Sequence, residues 1–221
     1  MISKQICCAL TVVVGSIGGA LAQSPPANTV PVTVDNFIRA ESDSYFGGIL
    51  KDSGAIGKFL HRREPARIDN QTVIRLNRDT LYSSAVFDLD AAPVTITLPD
   101  AGQRFMSMQV INEDHYVPEV VYGKGSYTLT KDRVGTRYVA VAVRTLVDPA
   151  DPRDIEQVHA LQDAIKVDQQ AAGKFEAPAW DQASQKKVRD ALLILATTMP
   201  DFKKAFGTQF DSLPAGAAGP K

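Results

Sequence analysis

The stretch PVTITLP at residues 93–99 is the clearest structural signal in the sequence. Val94, Ile96 and Leu98 alternate with two threonines, and this period of two is typical of a strand that buries one face. Proline cannot donate a hydrogen bond to a strand ladder, so the flanking prolines mark the ends of the strand. The stretch therefore predicts a half-buried strand at residues 94–98.

Short strand-like segments lie on both sides of this strand, with glycine-containing turns between several of them. They cover residues 72–76, 81–89, 104–111, 117–122, 127–130 and 137–145. The last segment contains YVAVAV, which is apolar on both faces and is therefore expected in the middle of the sheet. Six or seven short strands joined by turns predict an antiparallel meander rather than βαβ units.

Helical patterns occupy the two ends of the globular part. Thr33 is expected to cap a first helix, since its side chain can accept a hydrogen bond from the first turn. The apolar residues of this helix repeat at helical spacing and predict a buried stripe: Val34, Ile38, Tyr45 and Ile49, with Phe37 beside them.

The C-terminal part predicts two or three helices. Asp151 followed by a proline and a further aspartate is a strong helix start. A second helix is expected at residues 181–197, with Val188, Leu192 and Leu195 buried, and a short third one at residues 200–206. The fold class is therefore α+β: an antiparallel sheet of six or seven strands, one N-terminal helix and two or three C-terminal helices.

The first 22 residues have the features of a cleavable signal peptide. Lys4 precedes a short apolar run, and Ala20-Leu21-Ala22 provides the small residues that signal peptidase requires. We expect cleavage near Ala22-Gln23 and a periplasmic or secreted protein without a membrane span after processing. The expected organisation is a signal peptide (1–22), a spacer (23–32), one α+β domain (33–207) and a flexible tail (208–221).

Composition narrows the function classes. Both cysteines, Cys7 and Cys8, lie in the predicted signal peptide, so the mature chain would have no thiol chemistry. Loss of Lys4 from 24 basic residues leaves 23 against 25 acidic ones, a net charge of −2. Because the basic residues are scattered, nucleic-acid binding has no electrostatic support. No cofactor-binding motif is present, and no cofactor is predicted.

The segment NRDTLYS at residues 77–83 is the first candidate site. It places four polar residues between two predicted strands, with a tyrosine just inside the second. One interpretation is a turn, in which Asn77 and Asp79 accept backbone hydrogen bonds and Arg78 is solvated. The other is a ligand site, in which Arg78 and Tyr82 donate hydrogen bonds to an anionic or carbonyl group and Asp79 positions Arg78.

A second candidate site follows a predicted strand at Asp114 and His115. A carboxylate beside a histidine can set its tautomer for acid–base catalysis or for metal binding. No further ligand at a suitable spacing is present, so no metal site is predicted. The nucleophile-elbow pattern G-x-S-x-G is absent, and Ser184 with Lys187 matches S-x-x-K without the companion motifs of that enzyme class.

The run TVIRLNRDTLYSSAVFDLDAAPVTITLPDAGQRFMSMQVINEDHY at residues 72–116 resembles bacterial proteins of the domain of unknown function 1254 family. The matching features are the N-R-D-T-L-Y-S block, Asp88-Leu89, the proline-flanked strand, and Gln109-Val110 with Asp114. The resemblance covers about residues 34–206. It implies an exported β-rich domain in which Asn77, Arg78, Asp79 and Tyr82 form more than a turn.

Two functions follow as hypotheses. The first is a non-catalytic periplasmic module that binds a small molecule or a partner protein through the Arg78–Tyr82 region. The second is a hydrolase-type enzyme that uses His115 with Asp114 or Asp79, since some family members carry a carboxylesterase label. Family members commonly continue into a second β-rich domain, so the resemblance implies either that this chain pairs with a second β-rich domain or chain or that it is a truncated form.

Overall fold

The computed structural model of the chain describes residues 28–69 and 77–198. The helices in these residues are α1 (Phe37–Ser53), α2 (Lys131–Val134), α3 (Pro152–Asp163) and α4 (Gln182–Ala196). The strands are β1 (Leu60–His61), β2 (Thr80–Asp88), β3 (Val94–Leu98), β4 (Met106–Asn112), β5 (Glu119–Tyr122), β6 (Gly125–Leu129), β7 (Tyr138–Leu146) and β8 (Lys166–Gln169). The predicted α+β class with antiparallel strands is confirmed.

The larger sheet has five strands in the order β1-β2-β7-β4-β5, with every neighbouring pair antiparallel. The segment YVAVAV lies in the central strand β7, as predicted. Its register aligns Tyr82 of β2 with Arg144, and Arg144 with Ser107 of β4. Residues that face each other in this way lie on the same side of a sheet.

The proline-flanked strand belongs to a second sheet of three strands, in the order β6-β3-β8. Its bounds are those predicted from the alternation of apolar residues. The two sheets pack face to face, and the core between them includes Phe87, Met108 and Val141 from the larger sheet and Ile96 and Leu129 from the smaller one. The strands therefore form two layers rather than one continuous meander.

Helix α1 covers one half of the outer face of the larger sheet. Phe46 packs there with Val86, Tyr138 and Ala140, in a small apolar cluster of its own. The half of this face that carries Tyr82, Arg144 and Ser107 lies outside that cluster. We call this half, which α1 does not cover, the uncovered half, and Tyr82, Arg144 and Ser107 are its polar side chains.

The predicted apolar stripe of α1 is wrong for three of its residues, whereas Ile49 packs against the apolar cluster under the helix. The helix begins after Asn36, whose side chain accepts a hydrogen bond from the Thr33 backbone. Its buried residues are Ala40, Ser42, Asp43, Phe46 and Ser53, whereas Val34, Ile38 and Tyr45 are 71%, 50% and 63% exposed. The reason is that distant polar groups, among them the Trp180 indole, pair with the buried polar side chains of the helix.

The C-terminal helices agree with the sequence in position and only partly in burial. Asp151 caps α3 by accepting a hydrogen bond from the Arg153 backbone. Helix α4 follows the cap Asp181, but Leu195, predicted to be buried, is 56% exposed. This helix contacts α1 through polar pairs such as Gln185 with Glu41, which do not require an apolar stripe.

Several predicted features lie outside the described residues. They are the signal peptide, the strand at 72–76, the helix at 200–206 and the tail. Within the described ranges, no helix has the length and apolar character needed to cross a bilayer.

Candidate functional site

A cavity of about 380 Å³ opens where β1 meets the start of β2. Its lining residues are Arg62, Glu64, Ala66, Asn77, Thr80, Tyr82 and Ser84. Two of the four residues predicted to bind a ligand, Asn77 and Tyr82, are among them. The cavity volume lies in the range of about 300–1,000 Å³ that is typical of small-molecule sites.

Backbone contacts hold the wall formed by β1 in place. The Arg62 amide donates to the Tyr82 carbonyl over 2.8 Å. The buried Gln162 side chain of α3 donates to the carbonyl oxygens of both residues, at 3.1 and 3.3 Å. The Arg62 guanidinium is paired with Asp52 at 2.6 Å, so its charge is already balanced.

The other two predicted residues support the cavity from outside its lining. Arg78 donates from Nε to the carbonyl of Ala66, over 2.8 Å, and thereby holds that wall. The Asp79 carbonyl accepts a hydrogen bond from Val147 at 2.8 Å, which fixes the start of β2. In the part of the chain that the structure describes, the Asp79 carboxylate forms no ion pair with Arg78.

A row of polar side chains crosses the uncovered half of the sheet beside this cavity. Tyr82 lies opposite Arg144, and Arg144 lies opposite Ser107. Arg144 is half-buried, and its Nε atom is fully buried without a hydrogen-bond partner. Residues 28–69 and 77–198 also provide no carboxylate as an ion-pair partner for Arg144. The adjacent Ser107 is 0% exposed, and its Oγ atom likewise has no partner.

These unpaired groups are costly to the folded protein. A buried donor without a partner costs about 1–3 kcal/mol, and native proteins contain few of them. Two such groups lie side by side here, next to a cavity. Buried polar groups that lack protein partners are expected where a ligand supplies the missing contacts.

Sequence reasoning missed Arg144 and Ser107. The available signal was the arginine itself, because it interrupts the apolar run of the strand predicted to be central. Its closeness to Tyr82 depends on the register of β2 and β7, which the local sequence does not specify.

The segment that contains the cavity also matches a known family. Residues 56–126 match the family model described as "Protein of unknown function (DUF1254)". The resemblance seen in the sequence is confirmed over this DUF1254 segment. The segment includes every residue that lines the cavity, together with Ser107, whereas Arg144 lies beyond its end.

Two solved structures of bacterial proteins match the chain. The crystal structure of the VPA0106 protein from Vibrio parahaemolyticus has a TM-score of 0.55 and 14% sequence identity, over 80% of this chain and 60% of that one. An uncharacterised protein from Burkholderia cenocepacia has a TM-score of 0.36 and 13% identity, over 71% of this chain and 46% of that one. No curated protein matches the chain. The chain thus spans about 60% of the length of the Vibrio protein.

The second predicted site, at Asp114 and His115, follows β4 at the end of the larger sheet that is remote from the cavity. His115 occupies a left-handed turn after β4, with φ at 65°, rather than continuing the strand. From Ser107, which is level with Tyr82, the strand runs about 17 Å to Asn112 at about 3.3 Å per residue. His115 is therefore out of reach of Tyr82 and Asp79.

The contacts of this turn are with helix α1. The Asp114 carboxylate accepts a hydrogen bond from Arg39 at 2.5 Å, and His115 Nδ1 lies 3.4 Å from Ser42 Oγ. Ser42 is buried, with only 1% of its surface exposed. A buried serine cannot attack a substrate without rearrangement, so this contact joins the helix to the sheet.

Two buried carboxyl groups lie behind the same turn. Asp43 accepts a hydrogen bond from the Trp180 indole and Glu113 accepts one from the Tyr138 amide, both at 2.9 Å. The Asp43 Oδ1 atom is buried and has no hydrogen-bond partner among the described residues. Burial raises the pKa of both groups, and the neighbouring Asp43 charge raises that of Glu113 further.

A histidine–serine contact also occurs beside the cavity. His61 Nδ1 lies 2.8 Å from Ser83 Oγ, and burial together with the Arg63 charge lowers the His61 pKa. Ser83 is 1% exposed and lies on the face opposite to Tyr82. Its hydroxyl therefore points towards the core between the sheets and not into the cavity.

The described ranges contain no group of three or more histidine, cysteine, aspartate or glutamate side chains that could hold a metal ion. The chemistry that the arrangement supports is hydrogen bonding and charge pairing around Tyr82 and Arg144.

Proposed function

We propose that this domain binds a small molecule with an acidic group, using Arg144 as the counter-ion. The observation that carries the proposal is the half-buried Arg144 guanidinium, which has an unpaired Nε and no carboxylate partner in the described part of the chain. Arginine presents a planar set of donors that matches a carboxylate, and such charge-assisted pairs are strong. A bound acid would balance the charge of the guanidinium.

Tyr82 is the second group that contacts the ligand in this proposal. It lines the cavity and lies opposite Arg144 in the sheet. Its hydroxyl can donate to the same acidic group, because a phenol is a donor at neutral pH. Tyr82 thus links the cavity to the cation.

The remaining wall residues favour one orientation of the ligand. Glu64 places a carboxylate on the cavity wall, and the charge of Arg62 is already balanced by Asp52. A second negative charge on the ligand would be repelled at this wall. Asn77 and Glu64 instead suit a hydroxyl or amino group close to the acidic group of the ligand.

Matched acid and amide pairs test the proposal. Binding of butanoate against butanamide, and of benzoate against benzamide, is measured by NMR titration of the full chain. The acids are expected to bind at least about tenfold more tightly, and Arg144→Gln is expected to remove that difference. The control Arg153→Gln changes an 87% exposed arginine on α3 and should leave the preference intact. Equal binding of acids and amides would contradict the proposal.

The alternative of a hydrolase has less support. His115 is separated from Tyr82 along the sheet, and the serines that contact His115 and His61 are both buried. A nucleophile, a base and an accessible cavity do not coincide among the described residues.

We also propose that the protein works in the periplasm or outside the cell. The support is the signal-peptide pattern of residues 1–22. N-terminal sequencing of the protein from the cell envelope and the culture medium tests this. A mature chain that starts at Gln23 is expected, and a chain that keeps Met1 would contradict it.

A further inference from the structure

Exposed apolar side chains gather beside Arg144 on the uncovered half of the larger sheet. They are Phe105, Val120, Tyr122 and Leu146, with 41%, 42%, 66% and 41% of their surfaces exposed. We call these four residues the apolar patch. Phe105 and Tyr122 contact each other edge to face, with ring centroids 6.0 Å apart.

The register places the patch on the same face as the polar row. Tyr122 lies opposite Ser107, which lies opposite Arg144. Leu146 is two residues from Arg144 on the same strand, and its side chain therefore points to the same side. At about 4.8 Å between strands, Tyr122 is about 10 Å from Arg144 across the sheet.

Charge is distributed unevenly over this surface. Among residues 28–69 and 77–198, no acidic side chain pairs with Arg144, and the four side chains of the apolar patch carry no charge. Ser107, between Arg144 and Tyr122, is small and leaves its buried hydroxyl without a partner. A surface with a cation at one end and apolar rings about 10 Å away matches an amphipathic acid.

We infer that the ligand is a monocarboxylate with an apolar tail, which lies across the sheet from Arg144 to the apolar patch. The carboxylate pairs with Arg144 and Tyr82, and the tail covers Phe105, Tyr122 and Leu146. This inference rests on the proposed function, because it extends the ligand from the same arginine.

A chain-length series tests the inference. Acetate, butanoate, hexanoate and octanoate are titrated below their aggregation limits into the full chain. Burial of each added methylene on apolar side chains is expected to strengthen binding about twofold to fourfold. Octylamine, which has the same tail and the opposite charge, is expected to bind more weakly than octanoate by at least tenfold.

Variants of the apolar patch separate the binding of the apolar tail from the binding of the carboxylate. Phe105→Ser with Tyr122→Ser is expected to abolish the gain in affinity from butanoate to octanoate and to leave the affinity for acetate and butanoate unchanged. Val167→Ser removes an exposed valine from the other sheet and serves as the control. If the double variant fails to fold, Leu146→Ser takes its place. It is expected to reduce the affinity for octanoate and to leave the affinity for acetate unchanged.

The outcomes distinguish the two proposals. A flat series with short acids still bound would overturn the amphipathic ligand and leave the proposed function standing. Absence of binding by every acid would overturn both. If the double variant instead changes the oligomeric state or the capture of a second β-rich domain, the patch is a protein interface and this inference is wrong.

Discussion

Arg144 lies directly opposite Tyr82 in the register of two antiparallel strands, and its Nε atom is buried without a partner. Tyr82 lines the cavity at the edge of the sheet, and Arg144 places a cation beside it near the centre of the sheet. The proposed acid-binding function depends on this relationship.

Replacing Arg144 by methionine is expected to make the free protein more stable by about 1 kcal/mol, because it removes an unpaired buried donor and keeps the aliphatic part of the side chain. Urea unfolding of both proteins without added acid measures the difference.

The matched control for that variant is Arg104→Met. Arg104 donates to Asp154 at 2.9 Å and to the Leu146 carbonyl at 2.8 Å, and only 17% of its side chain is exposed. Its loss is expected to destabilise the fold by about 2 kcal/mol, since Asp154 would lose its partner. If Arg144→Met destabilised the free protein as much as Arg104→Met, the description of Arg144 as unpaired would be wrong.

Tyr82→Phe is expected to weaken butanoate binding about tenfold, the effect of losing one hydrogen bond to a charged group. Stability should change little, because the Tyr82 hydroxyl has no partner in the described part of the chain. NMR titration measures the affinity, and Tyr45→Phe on the exposed side of α1 is the control. Unchanged butanoate affinity in Tyr82→Phe would remove Tyr82 from the site.

Arg78→Ala is expected to weaken butanoate binding only a few-fold and to keep the preference for acids over amides. The reason is that Arg78 holds the Ala66 wall by one hydrogen bond and does not line the cavity. The same acid and amide titrations check this, with Arg153→Ala as the control. Loss of the acid preference would show that Arg78, and not Arg144, is the counter-ion.

The Asp43–Glu113 pair predicts an unusual pH dependence of stability. Burial raises the pKa of both groups, so the folded state binds more protons than the unfolded state, whose carboxyl groups titrate near about 4. Their contribution to stability is therefore complete below that pH and is lost as pH rises towards the folded pKa values. Urea unfolding at several pH values from 4 to 8 is expected to show a smaller loss in Asp43→Asn than in the wild type.

Asp35→Asn, an exposed residue just before α1, is the control for this experiment and should keep the wild-type profile. An Asp43→Asn protein that lost as much stability as the wild type between pH 4 and 8 would contradict the raised pKa of Asp43.

The sequence predicted what depends on local patterns. The alternation in PVTITLP identified β3, and the apolar run of β7 identified the central strand. Asn77 and Tyr82, which line the cavity, were singled out because polar residues interrupt two apolar segments. Each of these signals lies within a few neighbouring residues.

What the sequence did not predict depends on distant partners. The stripe of α1 was assigned to the wrong side because Asp43 is buried against Trp180, which lies 137 positions further along the chain. Arg144 was missed because its importance comes from the strand register and from the absence of a carboxylate near it in the described structure. Neither property can be derived from the neighbours of these residues in the chain.

The most direct test of the central claim is the NMR signal of the Arg144 side chain. The Nε–H resonance is assigned by its loss in Arg144→Gln and is followed during titration of the full chain with butanoate. We expect a saturable shift with the same midpoint as the backbone shifts around Tyr82, and no such shift with butanamide. Butanoate binding that leaves the Arg144 resonance unchanged would show that Arg144 is not the counter-ion.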